Sequence, residues 1–334
     1  MATIKEIAEL SGASRGTVDR VIHNRGRVAP DVEKTVRAAI KTLDYKPNKA
    51  GRILASAKRV RRIGAVIQSN ENRFFIDVEK GMLNASHEVS GSGFELVIRR
   101  VRGFGIDDNL SAVKDLVESG IDSLILTVPD SDEISSYLSS LSIPVAALNS
   151  NLSLPSLLYY VGPDYFRKGE INAGLLAINA REIPHILILS GSDSMQGHRD
   201  IVRGFISALD SRHIEYRIEA EIFAEDDNER AEELCREALA HHPDINAVFI
   251  STGGAEGALR AIGGRTLTVF ASDVVDDVRE GIRDGRILWT VSQEPFRQGY
   301  EAVRRMQDYF IDGKRPDSLF INQIVRIKEN IDEE

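Results

Sequence analysis

The chain of 334 residues contains a single cysteine, Cys235, and a single tryptophan, Trp289. A lone cysteine excludes an intrachain disulfide and any cysteine-rich metal centre. No apolar run approaches the roughly 20 residues that a membrane-crossing helix needs. The first residues, MATIKEIAEL, carry charges where a secretion signal would be apolar. No segment forms a Walker loop, a strand-to-helix G-x-S-x-G elbow or an H-E-x-x-H zinc motif. The expectation is therefore a non-enzyme of the cytoplasm, with no catalytic residues, no metal and no cofactor.

What is present is an uneven distribution of charge. The formal net charge is −9, yet the stretch ending at Arg62 holds 15 Lys and Arg against 6 Asp and Glu, and the remainder holds 27 against 45. A small basic head on a large acidic body means that only the head is suited to a polyanion. The length also exceeds what one ordinary core fills, which points to two or three folded units.

The head reads as three short helices. Thr3 followed by Glu6 is a capping box, and Ile4, Ile7, Ala8 and Leu10 keep helical spacing as far as Ser11-Gly12. Ser14 caps a second helix that runs to about His23, and Pro30 stands at the first position of a third, ending near Leu43. Two short helices on a tight glycine-containing turn, with a third behind, follow the helix-turn-helix plan. At ~100° per residue, Val18, Val21 and Ile22 face inward, while Arg15, Gly16, Asp19, Arg20 and His23 face outward. Asp19 is the anomaly, because a carboxylate repels phosphate. Either this is the solvated face of a small bundle, or Asp19 has a specific part in reading bases. Further on, Asn48 can cap a short helix containing Leu54, which Gly51 makes marginal by about 1 kcal/mol relative to alanine.

From residue 62 apolar strands alternate with amphipathic helices. Strand candidates are 63–69, 94–100, 122–128, 144–149, 185–190, 246–251, 267–272 and 287–292. FIDVEKGMLNASHEV, NLSAVKDLVESG and RAEELCREALAHH lie among the helices. Repeated βαβ units predict an α/β fold with parallel sheets covered on both faces. The length exceeds that of one such sheet, so two lobes are expected, with LFINQIVRIK as a late strand that closes the structure.

TIKEIAELSGAS, the following TV and RVI, and YKPNKAGRIL resemble the head and hinge helix of the lactose/galactose repressor (LacI/GalR) family of bacterial transcription regulators. The body resembles the type I periplasmic sugar-binding fold, and its loop NRFF (72–75) is similar to the Asn-Pro-Phe-Phe of ribose-type binding proteins. The resemblance implies a helix-turn-helix domain at 1–46, a hinge helix and linker at 47–61, and an effector-binding domain at 62–334. Lobe 1 would take about 62–162 and 293–321, and lobe 2 about 163–292 and 322–334. It further implies a homodimeric repressor on a near-palindromic operator, with the Leu54 pair wedged into the minor groove. A sugar or polyol would close the cleft and change the spacing of the heads; no membrane partner is implied.

On the DNA side the resemblance implies contacts from Thr3, Ser14, Arg15, Gly16, Thr17, Asp19 and Arg20, continuing through His23 and Asn24 to Asn48, Arg52 and Leu54 in the hinge. Arg15 and Gly16 take the two variable base-reading positions, and Asp19 replaces a small polar residue. On the effector side it implies Asn72, Phe74, Phe75, Thr127, Asp164, Arg199, Thr252, Asp273 and Gln293. Thr127 and Thr252 stand where many sugar binders carry asparagine.

Several alternatives stay open on the residues alone. Phe74 and Phe75 face either the cleft or the core. Asp273 is either a ligand or the cap of the next helix, and Arg199 either a ligand or a surface charge. Trp289 sits in a strand pattern, so the core or the lobe interface is its default place. His241 and His242 end a helix and are expected to be exposed. The loop 191–198, GSDSMQGH, leads into a helix N-terminus, a setting that favours anions and keeps a phosphorylated effector in play. The competing function is a sugar-binding or sugar-metabolising protein without a gene-regulatory role, in which the basic head would be idle.

Overall fold

The computed structural model describes residues 2–22, 26, 28–45, 59–68, 74–88 and 93–333. They belong to two compact units, Met1–Ala55 and Ser56–Glu334. The expected hinge helix, with Asn48, Gly51, Arg52 and Leu54, lies outside the described residues, as do His23, Asn24 and Asn72.

In the first unit, α1 (Ile4–Ser11), α2 (Arg15–Ile22) and α3 (Pro30–Thr42) enclose a small core of Ile7, Val18, Val21, Val36 and Ala39. Local chemistry sets the boundaries. The Thr3 N–H donates to Glu6 Oε2 at 2.7 Å and Thr3 Oγ1 accepts from the Glu6 N–H, closing the capping box. The backbone bond holds the Glu6 carboxyl below its ordinary range. Gly12 then stops α1 in the left-handed region at φ 66°, and Ser14 Oγ accepts from the Thr17 N–H to start α2.

The second unit contains two six-stranded sheets. The first orders its strands β11-β5-β4-β3-β1-β2: β1 (Arg61–Gln68), β2 (Phe94–Val101), β3 (Ser123–Leu126), β4 (Val145–Leu148), β5 (Tyr160–Pro163) and β11 (Leu319–Ile321). The second orders β12-β10-β9-β8-β6-β7: β6 (His185–Ser190), β7 (Arg217–Phe223), β8 (Ala247–Ile250), β9 (Thr268–Ser272), β10 (Trp289–Ser292) and β12 (Ile324–Arg326). The two orders are the same plan used twice. One difference separates them: β11 joins β5 in parallel, whereas β12 joins β10 antiparallel.

Three departures from the sequence reading have physical causes. β7 was not expected, because RIEAEIF lies at a sheet edge, is only half buried and alternates charge with apolar residues. β5 is four buried residues ending in proline, and only a crossover near 162 was expected there. The stretch LFINQIVRIK is two short strands in different sheets, so the chain crosses between lobes at Asn322-Gln323. The other crossings follow β5 and β10.

Each lobe is locked by a pair of helices in near-backbone contact. α4 (Phe74–Glu88) crosses α12 (Pro295–Asp312), and α7 (Tyr165–Asn179) crosses α8 (Gln196–Ser211). At both crossings the contact is reciprocal between glycines. A Cβ on Gly81 would lie 1.9 Å from the Phe296 carbonyl and one on Gly299 1.9 Å from Val78 O, while Gly169 and Gly204 face Ile201 O and Phe166 O at 2.0 and 1.9 Å. Backbone cannot yield as a side chain can. Gly204→Ala should therefore destabilise this unit by at least ~1–3 kcal/mol, seen as a fall of several degrees in the thermal unfolding midpoint. An unchanged midpoint would mean that the helices have room to part.

Candidate functional site

In parallel sheets the loops after the strands gather at the carboxyl ends, and the cleft between the lobes is lined by such loops from both sheets. Phe74 and Phe75 open α4 after β1, Phe104 follows β2 and Asn149 follows β4. From the other sheet come Met195 and His198 after β6, Asp226 after β7, Ser251 and Thr252 after β8, and Asp273 after β9; Tyr165 and Gln293 leave the crossovers. The enclosed volume is about 20 Å³, little more than one water requires. A larger hollow of about 640 Å³ runs outward from Asp226 between Arg102 and the segment 225–234. It is open and charged; the inner cavity is the one with aromatic walls and converging polar groups.

Asp273 is the best-anchored group there. Its backbone sits at φ 69°, its N–H donates to Val291 O at 3.0 Å, and its carbonyl accepts from Thr290 Oγ1 at 2.6 Å. Those bonds to β10 hold an otherwise unfavoured conformation. Its Oδ1 accepts from Lys168 Nζ at 2.8 Å and from Gln293 Nε2 at 2.5 Å. From Gln293 a chain of hydrogen bonds continues across the lobes. Gln298 donates to Gln293 O at 2.6 Å, Asn149 donates to Gln298 Oε1 at 3.2 Å, and the Tyr165 hydroxyl donates to Asn149 Oδ1 at 3.1 Å. Burial and the nearby Asp273 carboxylate push the Tyr165 phenol up, so it stays a neutral donor.

His198 stands edge-on to Phe104, with ring centroids 5.3 Å apart, and its Nδ1 accepts from the Ser192 N–H at 2.9 Å. Burial lowers its pKa, against the pull of Asp226, which favours the neutral ring. Asp226 Oδ1 accepts from the Gly253 N–H at 2.8 Å. Cys235 lies in the core of the second lobe, where burial pushes its thiol up to about 12, so it is no nucleophile.

A second set of bonds joins the lobes beside the cavity. Arg199 Nη2 meets Asp130 Oδ2 at 3.2 Å, and its Nη1 donates to Asp193 O at 2.5 Å. Asp130 also accepts from the Ser153 N–H and hydroxyl, and its own N–H donates to Ser194 O. The Gly197 N–H donates to Ser150 Oγ at 3.0 Å.

These features meet their counterparts in known proteins. A family model described as a periplasmic binding protein domain matches residues 63–315, and one described as bacterial regulatory proteins, lacI family, matches residues 3–48. The chain belongs to the periplasmic binding protein domain family through its body, and its head is a lacI-family domain. It is 26% identical over 315 residues to the HTH-type transcriptional regulator CelR of Thermobifida fusca, covering 92% of this chain and 91% of that one. It is also 26% identical over 276 residues to the ribose import binding protein RbsB of Bacillus subtilis, covering 81% and 86%. Among solved structures, the glucose-galactose binding protein GanP of Geobacillus stearothermophilus superposes with a TM-score of 0.75 at 23% identity, over 82% of this chain and 99% of that one. These relatives are regulators and binding proteins. This chain is a DNA-binding transcriptional regulator.

In this regulator, Phe74, Phe75, Thr252, Asp273 and Gln293 line one cavity. Asp273 does not cap the helix that follows, because Val275 precedes its first residue, Asp276. Three expected effector contacts are placed elsewhere. Thr127 is fully buried and its hydroxyl donates to Leu148 O within the sheet. Asp164 is exposed and caps α7, accepting from the Arg167 N–H. Arg199 is drawn off the cavity by Asp130 and bridges the lobes. Trp289 stacks on Phe270 at 4.7 Å and donates to Asn172, inside the core. His241 is exposed, and His242 reaches Glu219 at 3.3 Å.

Tyr165, Asn149, His198 and Asp226 on the cavity, and Lys168 behind Asp273, were not singled out by the sequence. Asn149 and His198 follow strands that the sequence marks, the same signal that located Asp273, whereas Tyr165, Lys168 and Asp226 follow β5 and β7, which it did not. On the head, Arg15, Gly16 and Arg20 are exposed and Asp19 is half-buried, with Arg20 Nε donating to Gly16 O at 3.1 Å. Among the described residues no helix is long and apolar enough to cross a membrane, and no group of three or more His, Cys, Asp or Glu could hold a metal ion.

The bridge between the lobes is directly testable. The Arg199 side chain is 39% exposed and Asp130 is 8% exposed, so the pair sits near the surface and solvent screens it. A double-mutant cycle with Arg199→Ala and Asp130→Ala, followed by denaturant unfolding, should return a coupling of about 1 kcal/mol. No measurable coupling would remove the pair from the forces that hold the lobes together.

Proposed function

We propose that this regulator is a repressor which binds a near-palindromic operator as a homodimer and is switched by a small sugar or polyol held between its lobes. A DNA-binding role supports a cytoplasmic location. The observation that carries the effector class is the hydrogen-bond chain from Lys168 through Asp273, Gln293, Gln298 and Asn149 to Tyr165, of which Asp273, Gln293, Asn149 and Tyr165 line the same cavity as Phe74 and Phe75. Hydroxyl edges suit carboxylate, ammonium and amide groups, and apolar sugar faces suit aromatic rings. The names of the relatives agree, one group being repressors and the other sugar-binding proteins. Both ends of that chain lie where the polypeptide passes between lobes, so a ligand there biases the angle between them. Mechanically, a change in that angle resets the spacing of two heads in a dimer.

Operator binding by the full chain should fall steeply with salt and need two half-sites about one helical turn apart. An effector at 100 times its Kd should stabilise the chain by ~2.7 kcal/mol. Asp273→Ala should abolish the response of operator binding to that effector, measured by anisotropy on a labelled duplex. A variant that still responds at the same effector concentration would place the site elsewhere.

Asp19 has a proposed role in base reading. Arg15 and Asp19 are one helical turn apart on α2, so the carboxylate can orient the guanidinium toward a guanine or accept from a cytosine amino group. Asp19→Ser should bind random DNA as well or better, yet lose ~1–3 kcal/mol of discrimination at one or two base pairs per half-site. A selection over randomised half-sites at one salt concentration measures this. Identical preferences in the two proteins would make Asp19 a tolerated surface charge.

A further inference from the structure

Lys168 lies on the first turn of α7 with its side chain fully buried, 2.8 Å from Asp273 Oδ1 and 5.7 Å from the centre of the Tyr165 ring. An ammonium carries three donors. Asp273 takes one, and among the described residues no other hydrogen bond to Nζ occurs. The carboxylate is equally unfinished: Lys168 and Gln293 both converge on Oδ1, and Oδ2 has no hydrogen-bond partner among the described residues. On the same cavity, Thr252 Oγ1 is buried without a partner. Buried polar groups are normally satisfied, and a buried charge with most of its bonds unmade is costly. Asp273 and Thr252 line the cavity and Lys168 stands directly behind Asp273, so open donors and acceptors gather at one side of it, as groups shaped for a ligand do.

We propose that Lys168 is a specificity-determining contact for the effector, presenting ammonium donors beside the free Asp273 oxygen to adjacent hydroxyls of a neutral polyhydroxy ligand. The charges of the two side chains cancel. A ligand carboxylate or phosphate would add a negative charge beside Asp273 in a closed, water-poor cleft, where desolvation makes it expensive. The loop 191–198 spends several of its donors internally. Ser192 and Ser194 hydroxyls bond each other at 2.8 Å, the Ser192 N–H is given to His198, and the Gly197 N–H is given to Ser150. A phosphorylated effector, open on the sequence, is thereby disfavoured.

The inference rests on the effector reading above, and the experiment separates the two. Thermal shift and titration calorimetry on the full chain compare D-ribose, D-xylose, D-galactose and myo-inositol with D-gluconate, D-galacturonate and ribose phosphate. A neutral probe should stabilise the natural protein while the acids and the phosphate do not, and Lys168→Met should weaken that probe about tenfold or more, the scale of a hydrogen bond to a charged group. If the methionine variant does not fold, Lys168→Gln, whose amide still donates to Asp273, gives the same reading: weaker binding supports the role and equal affinity overturns it. Equal affinity in the natural protein and a folded variant removes Lys168 from recognition and leaves the effector site standing. Stabilisation by acids or phosphate alone overturns the neutral class. No shift with any probe overturns the effector reading and this inference together.

Discussion

One buried ion pair organises the body of this regulator. Lys168 and Asp273 are 105 residues apart in sequence and share a hydrogen bond, the ammonium fully buried and the carboxylate half-buried. Such a pair adds little net stability, because desolvating both charges offsets their attraction, yet losing one partner costs about 3–5 kcal/mol. The pair therefore has to form. Forming it places the first turn of α7 against the loop after β9, and Gln293 and Gln298 then carry the same hydrogen-bond chain to Asn149 in the other lobe. The network acts less as a reserve of stability than as a constraint on how the lobes meet.

The same plan built twice explains why the site lies where it does. Both sheets run their strands in equivalent order, and their parallel strands deliver loops to the shared cleft. The glycine-lined crossings of α4 with α12 and of α7 with α8 make each lobe a stiff body. The lobes are joined by three crossovers. Tyr165 and Gln293 leave two of these, which brings the cavity lining and the lobe geometry into one set of hydrogen bonds. The Arg199–Asp130 bridge adds a second, more exposed tie beside it.

Charge distribution separates the two functions along the chain. The basic excess is confined to the head and hinge, where a polyanion is met, and the acidic body keeps its buried charges paired. In the head the core is five buried side chains, and capping contributes visibly: Thr3 with Glu6 and Ser14 with Thr17 satisfy helix ends that so small a core could not protect.

The sequence by itself determined the helix-turn-helix unit and the α/β class. Their signals are local: a capping box spans four residues, a helix face repeats within two turns, and a buried parallel strand is an unbroken apolar run. Where the environment was mixed, the local signal failed, as in β7 at a sheet edge and in the stretch 319–326 that serves two sheets. Asp273 and Gln293 were legible because motif and strand end coincide. Only the tertiary structure decided that Thr127 turns into its own sheet, that Asp164 caps a helix, that Arg199 is taken by Asp130, and that Lys168, embedded in the charged stretch PDYFRKGE, points inward to Asp273. The reason is physical: each outcome depends on which strand ends the sheet order makes neighbours, a relation between residues far apart that no local pattern records.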